Sequence, residues 1–243
     1  MSQLSELSLK GVKNMDKYIS SINELNLGKK INGGSCSDIY EFTPSFYFKK
    51  FTEDYEDLTD EINIEFYETI KYLSEIKGMP YIVTAQDIYR SQESLFGYSM
   101  RIIAAKNFRT ISDETHVRDI LNGFKPLKKD VRVLSENHVK TEDIGGDNIL
   151  YNGFMYLIDL DLSLVDKRYI PDELYERTMN SLFCGIKTKL LDDPRYNDTV
   201  QVDDWENYFN RFVEMSSTVL GEETTTINDL KRGYQKIKTL YKI

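Results

Sequence analysis

The sequence predicts an α+β chain in two parts, a strand-rich front with one main helix (about residues 1–103) and an abbreviated, mostly helical back (about 104–243). Between Leu27 and Ile103 the apolar residues fall in short runs rich in aromatic and β-branched types, punctuated by Gly, Pro, Ser and Thr. From Val117 to Tyr241 apolar residues recur mainly at three- and four-residue spacing, the period of an amphipathic helix. With 243 residues, 40% of them hydrophobic, the chain can bury a core as one domain or as two lobes sharing a cleft.

Val12, Met15, Tyr18, Ile19, Ile22 and Leu25 recur at helical spacing and predict a helix over Val12 to Leu25. Asp38 to Phe42 and Phe46 to Phe51 are extended runs around Thr43-Pro44-Ser45, which predicts a hairpin behind a glycine-bearing loop. Leu58, Ile62, Phe66, Ile70 and Leu73 share one face of a helix over about Tyr55 to Ile76, ended by Gly78-Met79-Pro80. Strands follow over Ile82 to Tyr89 and Leu95 to Ile103, then a buried helix from Val117 to about Glu136. Ile149 to Tyr151 and Met155 to Leu160 form a second hairpin about Asn152-Gly153. Helices near Glu173 to Leu191, Asp204 to Leu220 and Ile227 to Tyr241 complete the chain.

Composition excludes several classes. The net charge is −9 with no basic cluster, so neither nucleic acid nor an anionic membrane has an electrostatic footprint. Two cysteines, Cys36 and Cys184, make no disulfide framework, and two histidines make no zinc cluster. The apolar runs are far too short to span a bilayer, and Met1 to Lys10 lacks a signal-peptide core. A reducing cytoplasm, its own or a host's if the chain is a secreted effector, is the expected compartment.

Five stretches stand in a telling order. The loop Asn32-Gly33-Gly34-Ser35-Cys36-Ser37-Asp38-Ile39-Tyr40 precedes the strand Phe46-Tyr47-Phe48-Lys49. The following helix carries Glu61, Glu65 and Glu68. Gly97 to Lys106 runs out of an apolar strand through Met100, Arg101 and Ile103. Last comes Thr141-Glu142-Asp143-Ile144-Gly145-Gly146-Asp147-Asn148, with Tyr156-Leu157-Ile158-Asp159-Leu160-Asp161 along and just past the second strand of the hairpin that follows. A carboxylate inside that apolar strand is expensive unless a metal or cation is near, so Asp159 calls for a partner.

Over about Leu27 to Ser163 these stretches resemble the protein-kinase-like superfamily, of the small atypical bacterial, viral or effector type. The resemblance implies a bilobal kinase-like domain spanning 1–243, with ATP and Mg²⁺ (or Mn²⁺) as cofactors. It implies that Gly33, Gly34, Ser35 and Ile39 cover the nucleotide and that Lys49 pairs its phosphates. Lys50 would face the other side of the strand. A helix glutamate would hold Lys49; spacing leaves Glu61, Glu65 and Glu68 open, with Glu65, beside the apolar stripe, preferred. Met100 would back the adenine pocket, with the backbones of Arg101 and Ile103 bonded to the base. Asp143 would take the acceptor's proton, Asn148 and Asp159 would bind metal, and Asp161 would add a further ligand.

The pattern also departs from the family. Asn32 and Ser37 replace two loop glycines, Thr141-Glu142 replaces the His-Arg before the catalytic aspartate, and Asp161 replaces the glycine after the metal aspartate. The short span from Leu162 to Asp172 leaves no room for a long activation segment. The expected function is a minimal Ser/Thr protein kinase acting on a protein substrate. The alternatives are a small-molecule kinase of the aminoglycoside or choline type, with Asp192, Asp193, Asp203 and Asp204 as its acidic residues, a nucleotide-binding pseudokinase scaffold, and AMP rather than phosphate transfer.

Overall fold

The computed structural model describes residues 16–142, 144–192 and 204–241. The chain divides into two compact units, one of Met1–Glu75 with Ala85–Ile102, the other of Ile76–Thr84 with Ile103–Ile243.

The first unit holds a six-stranded sheet. Its strands are β1 (Asp16–Tyr18), β2 (Lys30–Gly33), β3 (Ser37–Thr43), β4 (Phe46–Phe51), β5 (Asp87–Arg90) and β6 (Leu95–Arg101). They lie in the order β1-β5-β6-β4-β3-β2, antiparallel except for the β1–β5 pair. The Thr43 hydroxyl accepts from the N–H groups of Ser45 and Phe46, so the predicted β3–β4 turn is pinned by its own first residue.

Two predictions for this unit need correction. Of the helix expected over Val12 to Leu25, Val12 to Met15 lie outside the described residues. The rest forms β1 and a 3-10 turn over Ile22–Glu24. Ser21 and Glu24 cap that turn reciprocally, and Asp16 to Tyr18 pair with β5, so local capping and a distant strand edge outcompete a weak helical period. The helix expected from Tyr55 is broken into α1 (Glu53–Glu56) and α2 (Glu61–Glu75). Between them the Asp57 carboxylate accepts from the backbone and hydroxyl of Thr59, and Asp60 accepts from the Ile62 N–H at the start of α2. Helix α2 buries Phe66, Tyr67, Ile70 and Leu73, and Phe66 meets Phe51 edge-on at 5.0 Å.

In the second unit the strands are short: β7 (Lys106–Asn107), β8 (Val139–Lys140), β9 (Ile149–Tyr151), β10 (Met155–Leu157) and β11 (Leu164–Val165). They form a β10-β9-β7 sheet and a β11-β8 pair. Helices α3 (Val117–Glu136), α4 (Pro171–Leu191), α5 (Trp205–Leu220) and α6 (Ile227–Tyr241) supply the mass. On α3 the stripe Val117, Ile120, Phe124, Leu127, Val131 and Leu134 is buried, as its spacing requires. Trp205 stacks on Phe124 with ring centroids 5.0 Å apart and lies 4.8 Å from Phe183.

The strand expected over Ile82 to Tyr89 is confined to its end, in β5. Its first part belongs to the second unit, where Val83 donates to the Leu157 carbonyl at 2.9 Å and Leu157 to that of Tyr81 at 2.9 Å. The Tyr81 N–H meets the buried carboxylate of Asp130. That apolar run serves the edge of β10 rather than the large sheet. Strand β10 itself stops at Leu157, short of the expected Leu160. Among the described residues no helix is long and apolar enough to cross a membrane.

Candidate functional site

Register places Ile39 opposite Lys49 and Lys49 opposite Tyr98, so these side chains share one face across β3, β4 and β6. Tyr47 and Met100 pair on the same face, and Met100 packs against the unit's hydrophobic core. Lys49 is 5% exposed, with its ammonium 6.0 Å from the centre of the Tyr98 ring. A lysine carrying its charge at that depth belongs to a built environment rather than to a solubilising edge. Lys50 pairs with Gly97 on the opposite face. Gly97 has φ +146°, and a Cβ there would fall 2.0 Å from the Lys49 carbonyl oxygen. Only glycine lets β6 close on the strand that carries this lysine.

The loop after β2 is closed by the Gly34 N–H on the Ser37 carbonyl at 2.8 Å, and Gly33, Gly34 and Ser35 are exposed. Its far side is anchored. The Cys36 carbonyl accepts from the Thr52 N–H (3.1 Å) and hydroxyl (3.3 Å). On α2, Glu61, Glu65 and Glu68 are all exposed. Arg101 ends β6, and the next N–H, of Ile102, donates to Ser45 at 3.0 Å. In the second unit the Ile103 carbonyl accepts from Ala105 at 2.8 Å.

Asp143 lies outside the described residues; both of its flanks are fixed within the second unit. On one side Thr141, 5% exposed, shares a 2.7 Å hydrogen bond with Thr178 of α4. Glu142 forms ion pairs with Lys140 (2.6 Å) and Arg177 (3.3 Å). On the other side the Asp147 carboxylate meets Arg109 at 2.5 Å, and its carbonyl accepts from the Asn107 amide at 2.8 Å. Thr178, Arg177, Arg109 and Asn107 escape a sequence reading because each reaches the loop from far along the chain. The one signal is a hydroxyl, Thr141, following a buried strand.

Asn148 and Asp159 are brought to the open end of the β9–β10 hairpin. Ile149 pairs with Leu157, and the Asn148 carbonyl accepts from the Ile158 N–H at 3.0 Å. Asp159 then turns into the left-handed region at φ +63° with its side chain exposed. Aspartate is among the few non-glycine residues that take up this region readily. Asp161 is 8% exposed, inside a turn in which Ser163 donates to Leu160 at 3.0 Å. An amide oxygen and one or two carboxylates are a hard donor set that suits Mg²⁺, which keeps waters and takes few protein ligands.

A cavity of about 990 Å³ lies in the same unit, floored by Ile144, Gly145 and Gly146 and walled by α4.

No family model and no curated protein matches this chain. Among solved structures 1350 chains match. One is the twitchin kinase region from C. elegans (Fn31-NL-kin-CRD-Ig26), with a TM-score of 0.59 and 12% identity. The match covers 82% of this chain, which spans only 40% of that one. At this identity the likeness is one of fold: a mixed α+β architecture similar to a protein kinase structure.

Proposed function

We propose that the chain is an ATP-dependent phosphotransferase that uses Mg²⁺ (or Mn²⁺), a minimal Ser/Thr protein kinase. The observation that carries the reading is Asp159, held at φ +63° directly after Ile158, whose N–H is bonded to Asn148. When bound, the metal would neutralise charge developing on the transferred phosphoryl group. Asn148 and Asp159 would hold it, with Asp161 behind them. Lys49 would pair the phosphates, the loop amides of Gly33 to Ser35 would cover them, and Asp143 would accept the proton of the acceptor hydroxyl. Met100 and the backbones of Arg101 and Ile103 would receive the adenine, and Glu65, exposed on α2, would turn inward to pair with Lys49. Neither Cys36 nor Cys184 is in a disulfide, which suits a reducing cytoplasm or host cytosol.

The test is incubation of the protein with Mg–ATP and candidate proteins, followed by intact-mass and peptide mapping. Phosphate should be added at Ser or Thr, and Asp143→Ala and Asp159→Ala should each abolish it. Unchanged transfer in both variants would sink the proposal. An AMP-sized increment would replace it with nucleotidyl transfer, and phosphate on a small alcohol alone with a small-molecule kinase. Absence of any thermal stabilisation by Mg–ATP would leave a scaffold that does not bind nucleotide.

A further inference from the structure

Lys189 of α4 is a cation whose hydrogen bonds go to one short segment. Its side chain is only 9% exposed. It donates to the carbonyls of Arg109 (3.2 Å) and Ile111 (2.8 Å) and to the Asp113 carboxylate (2.7 Å). An ammonium has three N–H donors, so these three acceptors match it in number, and a charge at that depth requires such partners. Lys231 of α6 closes on the other oxygen of Asp113 at 2.9 Å. Within the same segment Phe108 is fully buried against Tyr151. Residues 107–113 belong to no long helix or strand, yet they are fixed by two helices and a buried ring.

That segment reaches the turn that holds Asn148. Asn107 donates its amide to the Asp147 carbonyl at 2.8 Å, and Arg109 meets the Asp147 carboxylate at 2.5 Å. The Arg109 side chain also lies along Gly146, where a Cβ would fall 2.8 Å from its Nε and 3.2 Å from its Cγ. The turn is closed by the Asn148 N–H on the Gly145 carbonyl at 3.0 Å. Arg109 and Asp147 are 56% and 65% exposed, and an ion pair so wet contributes little by itself. It can hold the turn only where the backbone behind Arg109 is itself held, and Lys189 holds that backbone. We propose that Lys189 is a positioning residue for Asn148, acting through Asn107 and Arg109 on the Gly145–Asn148 turn. The inference rests on the metal role given to Asn148 above and adds the support behind that ligand. Removing such a support typically costs about 10- to 100-fold in metal affinity or activity.

The experiment uses the full chain with Mg–ATP and an acceptor identified by peptide mapping. Lys189→Met keeps the length of the stem and removes the charge. It should lower kcat on the order of tenfold and raise the Mg²⁺ concentration needed for half-activation. A lysine serving stability alone would cost the same factor in any background. In the Asn107→Ala/Arg109→Ala protein, whose clamp is already gone, adding Lys189→Met should change kcat less than about twofold. An equal factor in both backgrounds, or an unchanged kcat and metal requirement in the single variant, overturns the inference. If the parent transfers no phosphate, the kinase reading fails, and amide exchange of the metal-free protein decides this one. The Asn148 N–H should exchange on the order of tenfold faster in Lys189→Met and no faster still when that change is added to Asn107→Ala/Arg109→Ala. Parent-like exchange at Asn148, or the same acceleration in both backgrounds, overturns it. Lys189→Arg keeps the charge, but its planar fork cannot converge on all three acceptors. It replaces Lys189→Met under the same criteria if that variant does not fold.

Discussion

At Asp159 charge and backbone conformation can be separated by mutation. Asparagine tolerates the left-handed region as well as aspartate does but brings no charge. Asp159→Asn should keep unfolding free energy within about 1 kcal/mol of the parent while lowering phosphate transfer by roughly 10²-fold or more; urea unfolding and a single-turnover assay measure the two. Gly97 presents the opposite case. Gly97→Ala places a methyl against the Lys49 carbonyl at a φ of +146°, and should cost on the order of 1–3 kcal/mol in denaturant unfolding. A stability equal to the parent would show that β6 can shift away from β4. The sequence singles out Asp159 by the cost of a carboxylate within an apolar strand, but β10 ends at Leu157 and Asp159 is exposed beyond it, so that cost does not arise. Gly97 looked like any strand glycine, since its role depends on a strand distant in the chain.

Among elements, the ones predicted accurately are those whose pattern is set within the element. Helix α3 carries a long apolar stripe and occupies the expected span, as do α6 and the β9–β10 hairpin apart from its far end. The failures lie where a local cap or a distant partner decided: the Asp57 and Asp60 carboxylates break the helix expected from Tyr55. Asp16 to Tyr18 took an edge of the sheet, and Ile82 and Val83 joined β10. The flanks of the Asp143 loop were illegible for the same reason, because Thr178 and Arg177 come from α4. Asp113 ties together two such elements through Lys189 of α4 and Lys231 of α6. Burial alone would push its carboxyl up, but hydrogen bonds and charge from the two lysines outweigh this and hold it below the ordinary value. A carboxyl so depressed gives stability that is complete above its unfolded value of about 3.9 and fades as pH falls through the folded one. Asp113→Asn should therefore lower the melting temperature at pH 7 and flatten its decline on acidification below about pH 4. An unchanged acid limb would mean that the pairs contribute nothing.

At the scale of the whole molecule, composition and the order of strands and helices were enough to predict a mixed α+β chain of the kind seen in a protein kinase structure. The ownership of residues 76–84 was not predictable, because an apolar run does not say which core it enters. The same two-unit division has an optical consequence. The chain has one tryptophan, Trp205, and it is 4% exposed between Phe124 and Phe183 in the second unit. Its emission should be blue-shifted in the native protein and should report the melting of that unit alone, whereas far-ultraviolet dichroism sees both. If the sheet unit loosens first on heating, the dichroism signal will begin to fall before the fluorescence moves; superimposed transitions would show that the two units unfold as one cooperative body.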